Sequence, residues 1–430
     1  MRQALLSISW MVCLGCTPSA QHTDVRMDSD AARDATQLDG GALDAQAPGA
    51  SLDGGAAAEL CDPVTGLGAP LRACTPSDPC VRLASDIMLP RLTDPTPVPR
   101  CDHPALALMS IDAAGFRRHA CVARPSGASP EDPRPLVLFF HPGGADGADT
   151  LALSTQLVTR HQNHDWGAGP RGFFVAAIHG RNLHYPTLAD RDGRHHDFLY
   201  RDLGYPSRNP DVAAIDTLVA RLVAEGADPN RVFVMGWSNG GFFGQMLAIA
   251  RHGITGAGYR VAAASAFATA DPFAAVERDP RTDEELPTPL CALSEVPASD
   301  LPIQLVYRSC DLAVPCGASQ LACFGGEPGY DTTAWLTRAA GRLAITPLLI
   351  GGYDRGSTGF NHDAIACHGF GATCPPPRTL KCTTSSRDID CLCYFNHLIW
   401  PDGVTDASDV TVGPDREADM LTFLANHPLP

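Results

Sequence analysis

The chain is poor in positive charge, and beyond its opening residues it has no long apolar run. Lysine and arginine together number 32 against 48 aspartates and glutamates, a formal net charge of −16 over 430 residues. That balance excludes a nucleic-acid partner, because phosphate backbones are bound by basic surfaces. Part of the excess is local: residues 17–60 hold eight acids and two arginines. The same stretch is rich in Ala, Asp and Gly and has no Phe, Tyr or Trp. It has too little apolar surface to offset the entropy of ordering, so residues 16–60 are expected to form a flexible tether. No segment past residue 15 reads as transmembrane. The later cysteines also lack the C-x2-C pairs of structural zinc, as Cys310-x5-Cys316 and Cys391-Leu-Cys393 illustrate. Neither a metal nor an organic cofactor is expected, and there is no internal repeat.

What the chain does have begins with a targeting pattern. Met1-Arg2 gives a positive start and Ala4–Leu14 is mostly apolar, yet too short to span a bilayer. Leu14-Gly15-Cys16 resembles the end of a bacterial lipobox, where a signal peptide is cut before a cysteine that then carries lipid. Residues 1–15 are therefore expected to be a signal peptide, with Cys16 the membrane anchor. The departure is Cys13, where that motif has a branched aliphatic residue, and plain secretion is the rival. The cysteine count agrees with export. Sixteen cysteines less Cys13 and Cys16 leave fourteen, an even number suited to disulfides in an oxidising compartment. Residues 61–125 are Cys- and Pro-rich and read as a stapled lead-in. Residues 126–430 read as the main domain.

In that domain the pattern is α/β. Leu136–Phe140 and Gly172–Ile178 are short continuous apolar runs, as in strands buried on both faces. Residues 210–225 have apolar positions at helical spacing, with Asn209 or Asp211 as the cap. A strand at 231–235, a helix at 241–252 and strands at 261–267 and 302–307 follow. A helix is expected at 332–343, a last strand at 389–395 and a closing helix at 416–425. Strands alternating with helices predict a mostly parallel sheet with helices on both faces.

The chemistry centres on Gly236-Trp237-Ser238-Asn239-Gly240. A G-x-S-x-G sequence between a strand and a helix is a nucleophile elbow, in which glycines let the chain turn sharply and expose the serine. A serine hydroxyl needs a base to take its proton, and the base needs an acid to orient it. In chains of this type the order is Ser, acid, His. Asp311 follows strand 302–307 and is the chosen acid, with Asp271 and Asp354 as rivals. His397 follows the last expected strand and is the chosen base; His362 is the runner-up, and His368 and His427 are also available. An oxyanion hole needs two N–H donors. One is the residue after the nucleophile, Asn239. The other comes from His141-Pro142-Gly143-Gly144. Pro142 has no N–H, so Gly143 is chosen, with Gly144 next. His195, His196, Asp192 and Asp197 read as a polar loop beside the cleft in preference to a metal site.

With these residues in hand, the chain resembles the secreted polyhydroxybutyrate depolymerase and feruloyl esterase group of α/β hydrolases, over roughly residues 134–427. In that group an Asp-Pro-x-Arg turn leads into the elbow strand, as in Asp228-Pro-Asn-Arg231 here. The acid lies in D-x-x-V-P, matched by Asp311-Leu-Ala-Val-Pro315. The base lies in G-H-x-W-P; here Asn396-His397-Leu-Ile-Trp400-Pro401 replaces the glycine and inserts one residue before the tryptophan. The group's His-Gly oxyanion motif is His-Pro-Gly-Gly. The resemblance implies the α/β-hydrolase fold and a serine esterase acting on hydroxycinnamoyl, acetyl or short polyhydroxyalkanoate esters, a substrate that includes polymers. Its rivals are a serine peptidase of the same fold and a catalytically inactive surface-binding lipoprotein. Substrate choice is expected in loops 180–208 and 268–300, and nothing in the sequence speaks to oligomeric state.

Overall fold

The apolar run ending at Phe140 lies near the middle of an eight-stranded sheet. The computed structural model describes residues 98–429, apart from 183–193, 254–256, 279–284, 291–295, 312–331, 354–359, 362–396, 403–414 and a few isolated positions between them. The strands are β1 (Leu106–Ala113), β2 (Phe116–Ala123), β3 (Arg134–Phe140), β4 (Phe174–Ile178), β5 (Ala227–Trp237), β6 (Val261–Phe267), β7 (Ser299–Arg308) and β8 (Leu343–Ile350). Their order across the sheet is β1-β2-β4-β3-β5-β6-β7-β8. The pairs β1/β2 and β2/β4 are antiparallel, and every later pair is parallel.

Every residue of β3, β4 and β6 is buried. Helices therefore cover both faces, which is why these strands read as unbroken apolar runs. On one face pack α2 (Pro210–Ala224), α3 (Asn239–His252) and α4 (Thr332–Ala339), through Ile215, Leu218, Phe243, Met246 and Trp335. On the other pack α1 (Gly147–Leu153) and α5 (Arg416–Ala425), through Leu151, Met420, Leu421 and Leu424. Pro210 opens α2 and the Asn209 side chain caps it, accepting the Asp211 N–H at 2.8 Å. Asp415 caps α5 by accepting the Ala418 N–H at 3.0 Å. This strand order, with a sharp strand-to-helix turn between β5 and α3, is the α/β-hydrolase fold. No helix among the described residues is long and apolar enough to cross a membrane.

Three expectations are corrected or fall outside. The domain boundary at 126 cuts through the sheet, since β1 and β2 come from the stretch read as lead-in. Their Arg117-Arg118-His119 core hid them from an apolar-run search, and a disulfide from Cys101 to Cys121 staples the pair. The helix expected over 332–343 stops at Ala339, because Gly341 takes a left-handed φ of +74°. The chain then runs into β8. The strand expected at 389–395 lies outside the described residues, as do Cys16, the tether and the cysteines other than Cys101 and Cys121.

Candidate active site

Ser238 stands between β5 and α3 at φ +53°, ψ −122°. That is a strained backbone for a residue with a side chain, at a cost of about 1–3 kcal/mol. The turn is held by its own N–H, which donates to the Phe267 carbonyl at 3.0 Å. It is also held by the Ser238 carbonyl, which accepts from Gly241 at 2.8 Å and Phe242 at 3.0 Å. Two glycines make it sterically feasible. A Cβ on Gly240 would lie 2.2 Å from the Phe140 carbonyl oxygen, and one on Gly236 would lie 2.4 Å from the Gly240 oxygen. Neither backbone can give way without moving β3 or α3.

The structure brings Ser238, His397 and Asp311 into one hydrogen-bonded line. The Ser238 hydroxyl lies 2.7 Å from His397 Nε2, and His397 Nδ1 lies 2.9 Å from Asp311 Oδ2. An ionised carboxylate only accepts, so Nδ1 carries the proton and donates to Asp311. That leaves Nε2 to accept the serine O–H. Ser238 is half-buried; His397 and Asp311 are buried. Asp311 follows the end of β7, and the parallel strands of the sheet all deliver their C-terminal ends to this edge. Behind it, Arg308 is fully buried with its guanidinium 5.4 Å above the Phe267 ring; burial pulls it down to about 9 against the opposing pull of Asp311.

The rival acids and bases stand elsewhere or outside the description. Asp271 is engaged by Arg338 and by the Phe273 N–H at 2.8 Å. His427 bonds the Phe423 carbonyl at 2.7 Å, one helical turn back. Asp354, His362 and His368 lie outside the described residues.

Next to Ser238 in the chain, Asn239 lies against Gly143. A Cβ on Gly143 would be 3.5 Å from the Asn239 Cβ and 2.6 Å from His195 Nε2. Asn239 is the first residue of α3, so its N–H has no intrahelical acceptor and sits at the positive end of the helix dipole. Gly144 lies outside the described residues. His141 is not placed to act as a base. Its Nε2 accepts the Gly180 N–H at 2.9 Å, so Nδ1 carries the proton and donates to the Pro142 carbonyl at 2.7 Å.

The polar loop at 194–198 takes a larger part in the site than its sequence suggests. The Asn239 side chain clamps the main chain of His196, accepting its N–H at 2.8 Å and donating to its carbonyl at 3.1 Å. The His196 ring is buried between His141 and Phe243, and burial holds it well below the usual imidazole range, hence neutral. Beneath it lies a buried ionic cluster. Asp211 accepts from Arg118 Nη1 at 2.5 Å, Arg181 Nε at 3.1 Å and the Asp197 N–H at 2.8 Å. Arg181 also reaches Asp197 at 3.2 Å. Burial opposes the ionised form of Asp211, but Arg181 and Arg118 outweigh it and hold the carboxyl far below its ordinary range. Sequence reasoning saw Asp211 only as a cap candidate. Its partner Arg118 is 93 residues away, and no local pattern links them. Among the described residues no group of His, Cys, Asp or Glu is arranged to hold a metal ion. Trp166 belongs to the core, stacked on Phe233 at 5.1 Å.

No protein-family model matches the chain, and no curated protein does. Similar solved structures include a thermostable esterase at 17% identity and TM-score 0.33, covering 57% of this chain and 55% of that one. A thermophilic esterase, Est2, from the Planctomycetes species Thermogutta terrifontis has 16% identity and TM-score 0.34, covering 57% and 82%. A puromycin-hydrolyzing peptidase from Mycobacterium tuberculosis has 17% identity and TM-score 0.34, covering 58% of this chain and 36% of that one. The chain thus spans only about half of the first of these. Likeness at this level carries no weight for activity, which has to be read from the site.

Proposed function

We propose that the chain is an exported serine carboxylic-ester hydrolase with Ser238 as nucleophile, His397 as base and Asp311 as orienting acid. One observation carries the reading: the unbroken Ser238–His397–Asp311 line at a strained elbow, with bonds of 2.7 and 2.9 Å. Such a line lets His397 take the serine proton as Oγ attacks an ester carbonyl, while Asp311 stabilises the imidazolium. The N–H groups of Asn239 and Gly143 receive the oxyanion. His397 then protonates the leaving alcohol. Water, activated by the same histidine, releases the acid and restores Ser238. Ser238, His397, Asp311 and the two N–H donors supply the protein's part in both half-reactions.

The motifs around Asp228, Asp311 and His397 support hydroxycinnamoyl, acetyl or short polyhydroxyalkanoate esters as the substrate class. The opening pattern ending at Cys16 supports export and a lipid anchor. A peptidase would use the same line on an amide. The test is hydrolysis of p-nitrophenyl acetate, methyl ferulate and a peptide anilide by the wild type, Ser238→Ala and His397→Ala. We expect ester turnover in the wild type and a loss of at least about a thousandfold in each variant. Faster anilide cleavage would move the reading to a peptidase. A wild type inert toward all three and toward a fluorophosphonate label would overturn it.

A further inference from the structure

The base is supported by three buried side chains in series. Trp237, immediately before the nucleophile, donates its indole N–H to the His397 carbonyl at 2.8 Å. Trp400 packs on Trp237 with ring centroids 5.6 Å apart, and meets Phe139 and Phe267 edge-on, also at 5.6 Å. The Trp400 indole N–H donates to Glu417 Oε2 at 2.6 Å. The same carboxyl oxygen accepts the Gln156 N–H at 2.9 Å. The main chain repeats the link: the N–H groups of Arg416 and Glu417 donate to the Pro401 carbonyl at 2.9 and 3.0 Å. The segment after the base is thus tied to the first turn of α5 twice over.

A carboxyl is a costly choice for such a place. Glu417 is fully buried, and burial pushes it up to about 7 against the opposing pull of the Gln156 N–H, Arg160 and Trp400. Arg160 Nε lies 3.1 Å from Oε1 without hydrogen-bond alignment, and Arg160 also pairs with Asp415. Asp402 is the remaining charge close by, accepting from the Gln156 side chain at 3.3 Å. An apolar residue would fill the space at less expense in desolvation. What the carboxyl adds is one oxygen that fixes the tilt of Trp400 and the position of residue 156 together.

We infer that Glu417 is a positioning residue for the base, setting through Trp400 and Trp237 where the His397 imidazole stands relative to Ser238. This rests on the hydrolase reading above. Without Glu417, Trp400 is free to slide against Trp237, and the His397 carbonyl moves with the indole that holds it. A displacement near one ångström at a reacting group can cost about a hundredfold in rate.

The full chain carrying Glu417→Ala, Glu417→Gln or Trp400→Phe would be titrated with a fluorophosphonate to count competent sites. kcat and KM on p-nitrophenyl acetate would then be expressed per labelled site. Glu417→Ala is expected to lose about 10- to 100-fold in kcat per site with KM changed less than about twofold. Glu417→Gln keeps an acceptor for the indole and should return to within about threefold of wild type. Trp400→Phe keeps the ring without the N–H; it should fold if Glu417→Ala does not, and lose at least about fivefold in kcat per site. A variant that melts earlier yet keeps wild-type kcat per labelled site means a structural role only and overturns the inference. A wild type that neither labels nor turns over overturns the hydrolase reading itself, and the inference with it.

Discussion

Ser238 has two flanks, and they are built in opposite ways. The Asn239 side is held by charge: Asp211, Arg118, Arg181 and Asp197 meet out of water and support the 194–198 loop that Asn239 clamps. The His397 side is held by aromatic rings, with Trp237, Phe139 and Phe267 packed on Trp400, whose indole reaches the buried Glu417 carboxyl. Both flanks must hold their groups to a fraction of an ångström. The charged flank achieves it through direction, since each hydrogen bond has a preferred line, and it fails abruptly when one partner goes. The aromatic side achieves it through volume, and its weak point is the buried Glu417 carboxyl.

The sharpest way to break the charged flank is Asp211→Ala. It leaves Arg118 and Arg181 buried without their shared carboxylate, and we expect a loss of about 3–5 kcal/mol, read as a fall in urea midpoint. An unchanged midpoint would mean that water reaches the cluster. The aromatic flank should respond to pH instead. Glu417 titrates near 4.5 when unfolded, and burial raises it to about 7 in the fold. A raised carboxyl pKa means that the folded state resists losing the proton. The cost is therefore absent below pH 4.5, grows between 4.5 and 7 and is complete above. Comparing wild type with Glu417→Gln, the wild type should lose about 3 kcal/mol relative to the variant between pH 4.5 and 8. Parallel pH curves for the two would show that Glu417 is more solvated than its burial implies. The smallest effect is expected at the junction of the flanks. Asn239→Ala removes two hydrogen bonds to His196 and should cost about 1–2 kcal/mol, with Ser238 still labelled by a fluorophosphonate.

Much of this was legible in the sequence, for reasons that separate the two flanks again. The strands at 134–140 and 261–267, and the stretch 232–237, bury both faces, so their apolar runs announce them, and the elbow glycines stand where a Cβ would run into backbone. Asp311 was reachable because it follows the end of β7, and His397 because the base comes after the acid in a chain of this order. The charged flank was not legible. Arg118 sits on a strand whose neighbours are Arg117 and His119, a pattern that reads as surface, and only the fold reveals that Asp211 waits beneath it. Strand β8 was missed because its burial is patchy and Pro347 interrupts it. Glu417 falls in the first turn of the expected closing helix, and that its side chain turns inward to an indole follows from packing alone.

The staple between Cys101 and Cys121 fixes where the long N-terminal extension joins the domain. Following the pairing register, Leu106 lies opposite Ala123, then Val175, then Val137, then Phe233, four strands across and five residues short of Ser238 along β5. At standard strand spacing and rise that is roughly 25 Å, with the junction at the far corner of the sheet from Ser238. Coupling the protein to a bead or a film through residues ahead of 98 would therefore place the attachment at the opposite end of the strands from Ser238.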